Sequence, residues 1–193
     1  MNDHSLLGYA LLGLLQQEPM SGYDLRKIFA TTALGSFSDS PGAIYPALRR
    51  LETQGWVSGQ IQAAAGLRRR RVFRPTSPGR AAFKAWLKKP VMRDDVVRGV
   101  GALMLRFAFM DKTLNAEQTL GFLDEFIGEL SAYIPTLGQY LDGHGSEMPL
   151  SGRLALECGI EEYEARLQWA KRAAGLYQKT AQHEREKGKG REV

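Results

Sequence analysis

Four consecutive arginines, Arg68, Arg69, Arg70 and Arg71, are the densest chemistry in this 193-residue sequence. Guanidinium groups stay charged and donate through a planar fork that matches phosphate oxygens and guanine edges. Set side by side they repel one another, so they serve a polyanionic partner or a solubility patch rather than the fold. A second set lies upstream in Ser40, Gly42, Tyr45, Pro46, Arg49 and Arg50. At a helix start, a Ser hydroxyl and free backbone N–H groups can take a phosphate, while Arg49 can reach a base edge or a backbone oxygen. Tyr23 has the spacing either to hydrogen-bond a phosphate through its hydroxyl or to pack in a core. The partner expected from these groups is double-stranded DNA.

Groups suited to catalysis are not assembled. His4, His144 and His183 fall near breaks or termini, with no cysteine or carboxylate at metal-ligand spacing. Cys158 is the only cysteine, which excludes an internal disulfide and a cysteine-based zinc site. Gly99-Val-Gly101 lacks the strand-turn-helix context of a nucleotide loop. The reading is no enzyme, no cofactor and no metal. No apolar run approaches the roughly 18 residues of a membrane span, and Leu6 to Leu15 lacks a basic n-region and cleavage site, so a cytoplasmic chain without membrane contact is expected. Apolar residues at 44% and charged residues at 24% suit a folded globular chain. The net charge of +5 is unevenly spread. Residues 1 to 90 hold 13 Lys and Arg against 5 Asp and Glu, whereas residues 91 to 193 hold 13 against 16, so the basic surface belongs to the first half.

The elements that must position these groups follow from periodicity. His4 to Gln17 sets Leu6, Leu7, Ala10, Leu11 and Leu14 at helical spacing, and Glu18-Pro19 stops the helix. Ser21 with Asp24 has a capping-box relation that opens a second short helix. Thr31 to Ser40 reads as a loop, and Ser40-Pro41 opens a third helix running to Gln54. Ile44, Ala47, Leu48 and Leu51 are its buried stripe, leaving Tyr45, Pro46, Arg49, Arg50 and Thr53 opposite. Gly55 ends it. Trp56 to Gln62 reads as a strand with Val57 and Ile61 on one face, Ala63 to Leu67 as a hairpin tip, and Arg68 to Arg74 as the return strand. Alternation sends only two of the four arginines to any one face. Thr76-Ser77-Pro78 starts a fourth helix. Three helices, a two-stranded hairpin and a helix make the order of a winged helix-turn-helix, here in residues 1–90.

Lys88-Lys89-Pro90 breaks the pattern and marks the expected boundary. Asp94 to Met110 predicts one buried helix with Leu103, Leu105, Phe107 and Phe109. Asn115 can cap the next helix, whose apolar residues Leu123, Ile127, Leu130, Ile134, Leu137 and Leu141 fall at a/d spacing, with a kink expected at Pro135. Gly143 to Pro149 is a turn. The last helix repeats the seam with Leu156, Ile160, Tyr163, Leu167, Ala170, Ala174 and Tyr177. These seams can close as a hairpin within one chain, but a hairpin alone leaves apolar surface exposed. A homodimer across Leu123, Ile127, Leu130, Ile134, Leu156, Ile160, Tyr163, Leu167 and Tyr177 is therefore expected. Residues 91–182 form this helical dimerisation domain, and the charged stretch 183–193 is read as a disordered tail. The fold class is mainly α with a small β-hairpin wing. Phe107, Phe109, Tyr163 and Trp169 read as core, so no ligand pocket is assigned.

Several blocks in the first half carry a resemblance. Leu6-Leu-Gly-Tyr-Ala-Leu-Leu-Gly-Leu-Leu15, Pro19-Met-Ser-Gly-Tyr-Asp-Leu25, Ser40-Pro-Gly-Ala-Ile-Tyr-Pro-Ala-Leu-Arg-Arg-Leu-Glu52, Gly55-Trp-Val57 and Arg71-Val-Phe-Arg-Pro-Thr-Ser-Pro-Gly79 resemble, in order, the signatures of the PadR family of transcriptional regulators. The second half looks like the longer multi-helix C-terminal domain of one branch of that family. The resemblance implies a homodimeric winged-helix regulator, often a repressor, that binds palindromic operators and is released by a small-molecule effector or other signal. It implies DNA-facing roles for Tyr23, Ser40, Gly42, Tyr45, Pro46 and Arg49. Phe73 and Pro75 depart from it, standing where the family commonly has Tyr and Leu. A non-specific nucleic-acid-binding or protein-interaction adaptor on the same scaffold is the competing reading.

Overall fold

A computed structural model describes residues 5–37, 41–64 and 67–189 and divides the chain into two compact units, Met1–Leu87 and Lys88–Val193. Ser40 lies outside the described residues, as do the side chains of Arg68 and Arg69.

The first unit is built around helix α1 (Leu6–Gln17), whose Leu7, Ala10, Leu11, Leu12, Leu14 and Leu15 are all buried. Strand β1 is only Met20–Ser21, and it pairs antiparallel with the hairpin through Met20 opposite Phe73 and Ser21 opposite Val72. Ser21 then caps α2 (Gly22–Thr31): its Oγ accepts from the Asp24 N–H at 3.3 Å while Asp24 Oδ2 accepts from the Ser21 N–H at 3.2 Å. This reciprocal pair satisfies two donors left open at a helix start. The expected loop contains one tight 3-10 turn, Ala33–Ser36. Helix α3 (Pro41–Thr53) buries the predicted stripe of Ile44, Ala47, Leu48 and Leu51.

Gly55 ends α3 at φ +71, a left-handed value that favours glycine. Its N–H donates to Glu52 O at 2.9 Å and that of Trp56 to Leu51 O at 2.8 Å, the paired bonds of a Schellman motif. Strands β2 (Val57–Ala64) and β3 (Leu67–Pro75) form the hairpin, with β3 central in a sheet of order β1-β3-β2. Val57 is buried but Ile61, on the same face, is 69% exposed, because the hairpin extends past the core. Thr76 Oγ1 accepts from the Gly79 N–H at 3.1 Å at the start of α4 (Ser77–Leu87). The ring of Trp86 stacks on Tyr9 at 4.3 Å, fastening α4 to α1.

In the second unit the single helix expected over 94–110 is two, α5 (Arg93–Arg98) and α6 (Val100–Ala108). Gly99 breaks them apart: its N–H closes α5 on Asp95 O at 2.9 Å, and its carbonyl accepts from Ala102 and Leu103 to start α6. Asn115 caps α7 (Ala116–His144), as expected, and Gln118 completes a capping box with it. The helix runs on through Pro135, which forfeits one backbone bond without ending it. Helix α8 (Leu150–Lys189) continues past His183, into the stretch that composition reads as disordered.

Leu123, Phe126 and Leu130 of α7 and Ala170, Ala174 and Ala181 of α8 are buried as these helices pack together, the alanines permitting close approach. Phe107 joins them, with Trp169 edge-on at 5.2 Å and Phe122 at 6.2 Å. Tyr177 donates its hydroxyl to Asp111, and partial burial together with that bond pushes the phenol up to about 12 from 10.0. A phenol held above its ordinary value supports the fold below pH 10 and loses that support as pH rises through about 12. Tyr177→Phe is therefore expected to flatten the fall in urea midpoint between these pH values. An unchanged slope would show that the hydroxyl contributes nothing to alkaline stability.

Candidate nucleic-acid interface

The outer face of α3 is a continuous polar stripe. Gly42, Tyr45, Pro46, Arg49, Arg50 and Thr53 are exposed, directly opposite the buried stripe. Gly42 and Pro46 give this face low relief, which lets the helix backbone approach a partner closely, and Arg49 stands in the middle of it. Tyr23 is 55% exposed on α2 rather than packed in the core. The Arg26 guanidinium lies 5.4 Å from the centre of its ring. Tyr45 reaches across to the same helix start. A Cβ on Gly22 would stand 2.6 Å from Tyr45 Cε1, so the glycine makes room for the ring that joins α2 to α3.

The wing arginines separate by alternation. Arg71 turns toward α3, where it pairs with Glu52 Oε1 at 2.7 Å and lies 5.5 Å from the Phe73 ring centre. The same Glu52 oxygen accepts from the Gly59 N–H at 3.0 Å. One carboxylate in the last turn of α3 thus holds both strands of the hairpin. Arg70 points to the other face, in a groove shared with Arg74, Gln62 and the capping pair Ser21 and Asp24. Arg70 is exposed there, while Arg71 orients the wing relative to the helix stripe.

A half-exposed ion pair stabilises little by itself, so the Glu52 contacts matter chiefly for geometry. Glu52→Ala is expected to speed exchange of the Gly59 amide about tenfold and to weaken DNA binding severalfold. Simple charge arithmetic has the opposite sign, since removing a carboxylate near phosphates should tighten binding. Tighter binding by the variant would show that the carboxylate does not brace the wing.

Compared with known proteins, residues 11–85 match the model of the transcriptional regulator PadR-like family. That stretch of the first unit is therefore similar to the PadR-like family. The negative transcriptional regulator PadR of Bacillus subtilis is 26% identical over 147 residues, covering 76% of this chain and 79% of that protein. The crystal structure of Bacillus subtilis PadR in complex with operator DNA shares 21% identity, covers 89% of this chain and 97% of that one, and superposes with a TM-score of 0.42. The structure of the same protein in complex with p-coumaric acid gives 20% identity, 90% and 99% coverage and a TM-score of 0.42.

The matched PadR-like segment contains α2, α3 and the hairpin, and so nearly the whole polar face described above. Arg26 and Arg74 belong to that face although the charge pattern did not single them out. Arg26 stands one helical turn after Tyr23, and Arg74 shares a strand face with Arg70, so helix and strand periods applied to every cation would have found both.

In the second unit, the residues expected to meet a partner chain divide. Leu123 and Leu130 are wholly buried within the single chain and so are not exposed to a second copy. Ile127, Ile134, Leu156, Ile160, Tyr163, Leu167 and Tyr177 keep part of their surface exposed. Leu150, Leu154 and Tyr140, at the distal end of the same helix pair, are half or more exposed. Among the described residues no group of three His, Cys, Asp or Glu is placed to hold a metal, and no helix is long and apolar enough to cross a membrane.

Proposed function

We propose that this chain is a cytoplasmic, homodimeric, sequence-specific DNA-binding repressor of PadR type that reads a palindromic operator and is released by a small-molecule effector. One observation carries the reading. The exposed stripe of α3, the start of α2 and an arginine-bearing hairpin lie in one small PadR-like unit, with the hairpin braced to α3 through Glu52. A helix of low relief fits the major groove, and a basic wing beside it fits adjacent phosphates or a narrow minor groove. The curated relative named a negative regulator supports repression as the outcome.

A dimer doubles the contact and sets two α3 helices about one DNA turn apart, near 34 Å. Ile127, Ile134, Leu156, Ile160, Tyr163, Leu167 and Tyr177, with the exposed Leu150 and Leu154, supply the apolar surface for it, and Leu123 and Leu130 support it from inside the helix pair. Ser40, Arg68 and Arg69 complete the proposed DNA-facing set by their sequence positions beside α3 and on β3.

Footprinting on the DNA upstream of the chain's own gene tests the reading. A discrete inverted repeat protected at moderate salt is the expected result. Weak, salt-sensitive coverage without a boundary would instead identify a non-specific adaptor.

A further inference from the structure

Tyr23 combines a firmly held backbone with a ring that no core holds. Ahead of it, Met20 and Ser21 are laddered to β3, and the capping box of Ser21 and Asp24 closes the first turn of α2. Gly22 is buried against the Tyr45 ring, so the helix start is held from α3 as well. The phenol itself is 55% exposed, and packing in the core does not set its rotamer.

What lies over the ring is Arg26. In a helix, residues three apart are neighbours, and long side chains lean toward the N-terminus. The Arg26 guanidinium accordingly stands 5.4 Å from the Tyr23 ring centre, within reach of a cation–π contact. That end of a helix carries partial positive charge, so a cation leaning over the first turn gives the helix itself no support. Asp24, the acidic residue of that turn, is engaged by Ser21. The contact of Arg26 therefore serves the ring. A ring held in one rotamer before binding does not have to be ordered during it. A phenol hydroxyl gains from this, since its hydrogen bond to a charged oxygen needs close alignment.

We infer that Arg26 is a positioning residue for DNA binding: its guanidinium sets the Tyr23 ring so that the phenol hydroxyl donates to a backbone phosphate. The inference rests on the DNA-facing reading of Tyr23 above. Every group involved belongs to the first unit.

A double-mutant cycle in the full chain tests it, on the duplex that the wild type enriches from random DNA and at one salt concentration. Tyr23→Phe is expected to weaken binding about tenfold, as for a hydrogen bond to a charged oxygen. Arg26→Ala should cost about the same, and the double variant no more than about twice either single loss, because the hydroxyl contributes only while the ring is set. Arg26→Lys keeps a cation over the ring, so Tyr23→Phe should still cost about tenfold in that background. Losses that multiply to about a hundredfold in the double variant overturn the inference, since Arg26 then acts on its own, as a separate phosphate contact or as support for α2. An Arg26→Lys background in which Tyr23→Phe costs nothing overturns it too. Tyr23→Phe without effect in the wild type overturns the DNA-facing reading of Tyr23, and the inference falls with it. A selection that enriches no sequence overturns operator recognition alone. Phosphates are present on every duplex, so the cycle is then read on unrelated DNA with the same expected losses.

Discussion

Arg49→Ala is expected to lower affinity for the specific operator about ten- to a hundredfold while reducing binding to unrelated duplex only slightly. Arg49 sits at the centre of the exposed α3 stripe, flanked by Tyr45, Pro46 and Thr53, where a side chain entering the major groove meets base edges. A bidentate arginine on guanine discriminates by about 1–3 kcal/mol, whereas a phosphate contact contributes almost equally on every sequence. Arg70 faces outward from the wing and should behave as a phosphate contact. Arg70→Ala should weaken specific and non-specific binding together and lower the salt slope by about one. Equal losses for both variants on every duplex, measured at one salt concentration, would remove this division of labour.

Gly79→Ala is expected to destabilise the N-terminal unit by about 2–3 kcal/mol. A Cβ at this position would stand 2.0 Å from the carbonyl oxygen of Trp56. The obstacle is backbone, on the turn that ends α3, so no side-chain rotation relieves it. Either α4 shifts away, disturbing the stack of Trp86 on Tyr9, or the turn carrying the Gly55 and Trp56 bonds opens. Gly121 supplies the opposite case. It lies within α7, and a Cβ there would meet nothing within 4 Å, so Gly121→Ala should stabilise by about 0.5–1 kcal/mol through helix propensity alone. Urea unfolding of the full chain reads both signs. A neutral Gly79→Ala would mean that α4 does not depend on this close approach.

Short-range chemistry made much of the polar face legible in the sequence. Ile44, Ala47, Leu48 and Leu51 fix which side of α3 is buried, and therefore which residues are offered outward. Ser21 with Asp24, and Gly55 after α3, mark helix ends because they satisfy backbone groups within a few residues. Pairings made at long range were not legible. Strand β1 is two residues long, too short to show alternation, and exists only because β3 is there to pair with it. Arg71 reads as one of four similar cations until Glu52, 19 residues away, takes it. An a/d seam states that a helix has an apolar partner but not whose helix that is, which is why Leu123 and Leu130 are found inside one chain. Gly99 divides α5 from α6 although the residues on both sides are apolar enough to read as one helix. Helix α8 outlasts its apolar period because, once nucleated, a helix propagates through exposed residues of adequate propensity.

Hydrogen–deuterium exchange of the full chain with and without operator duplex tests the central claim most directly. The account predicts slowed exchange at the start of α2 around Gly22 to Arg26, along α3 from Gly42 to Thr53, and on the hairpin around Arg70 to Arg74. Slowing confined to α7 and α8, with those three segments unchanged, would contradict it.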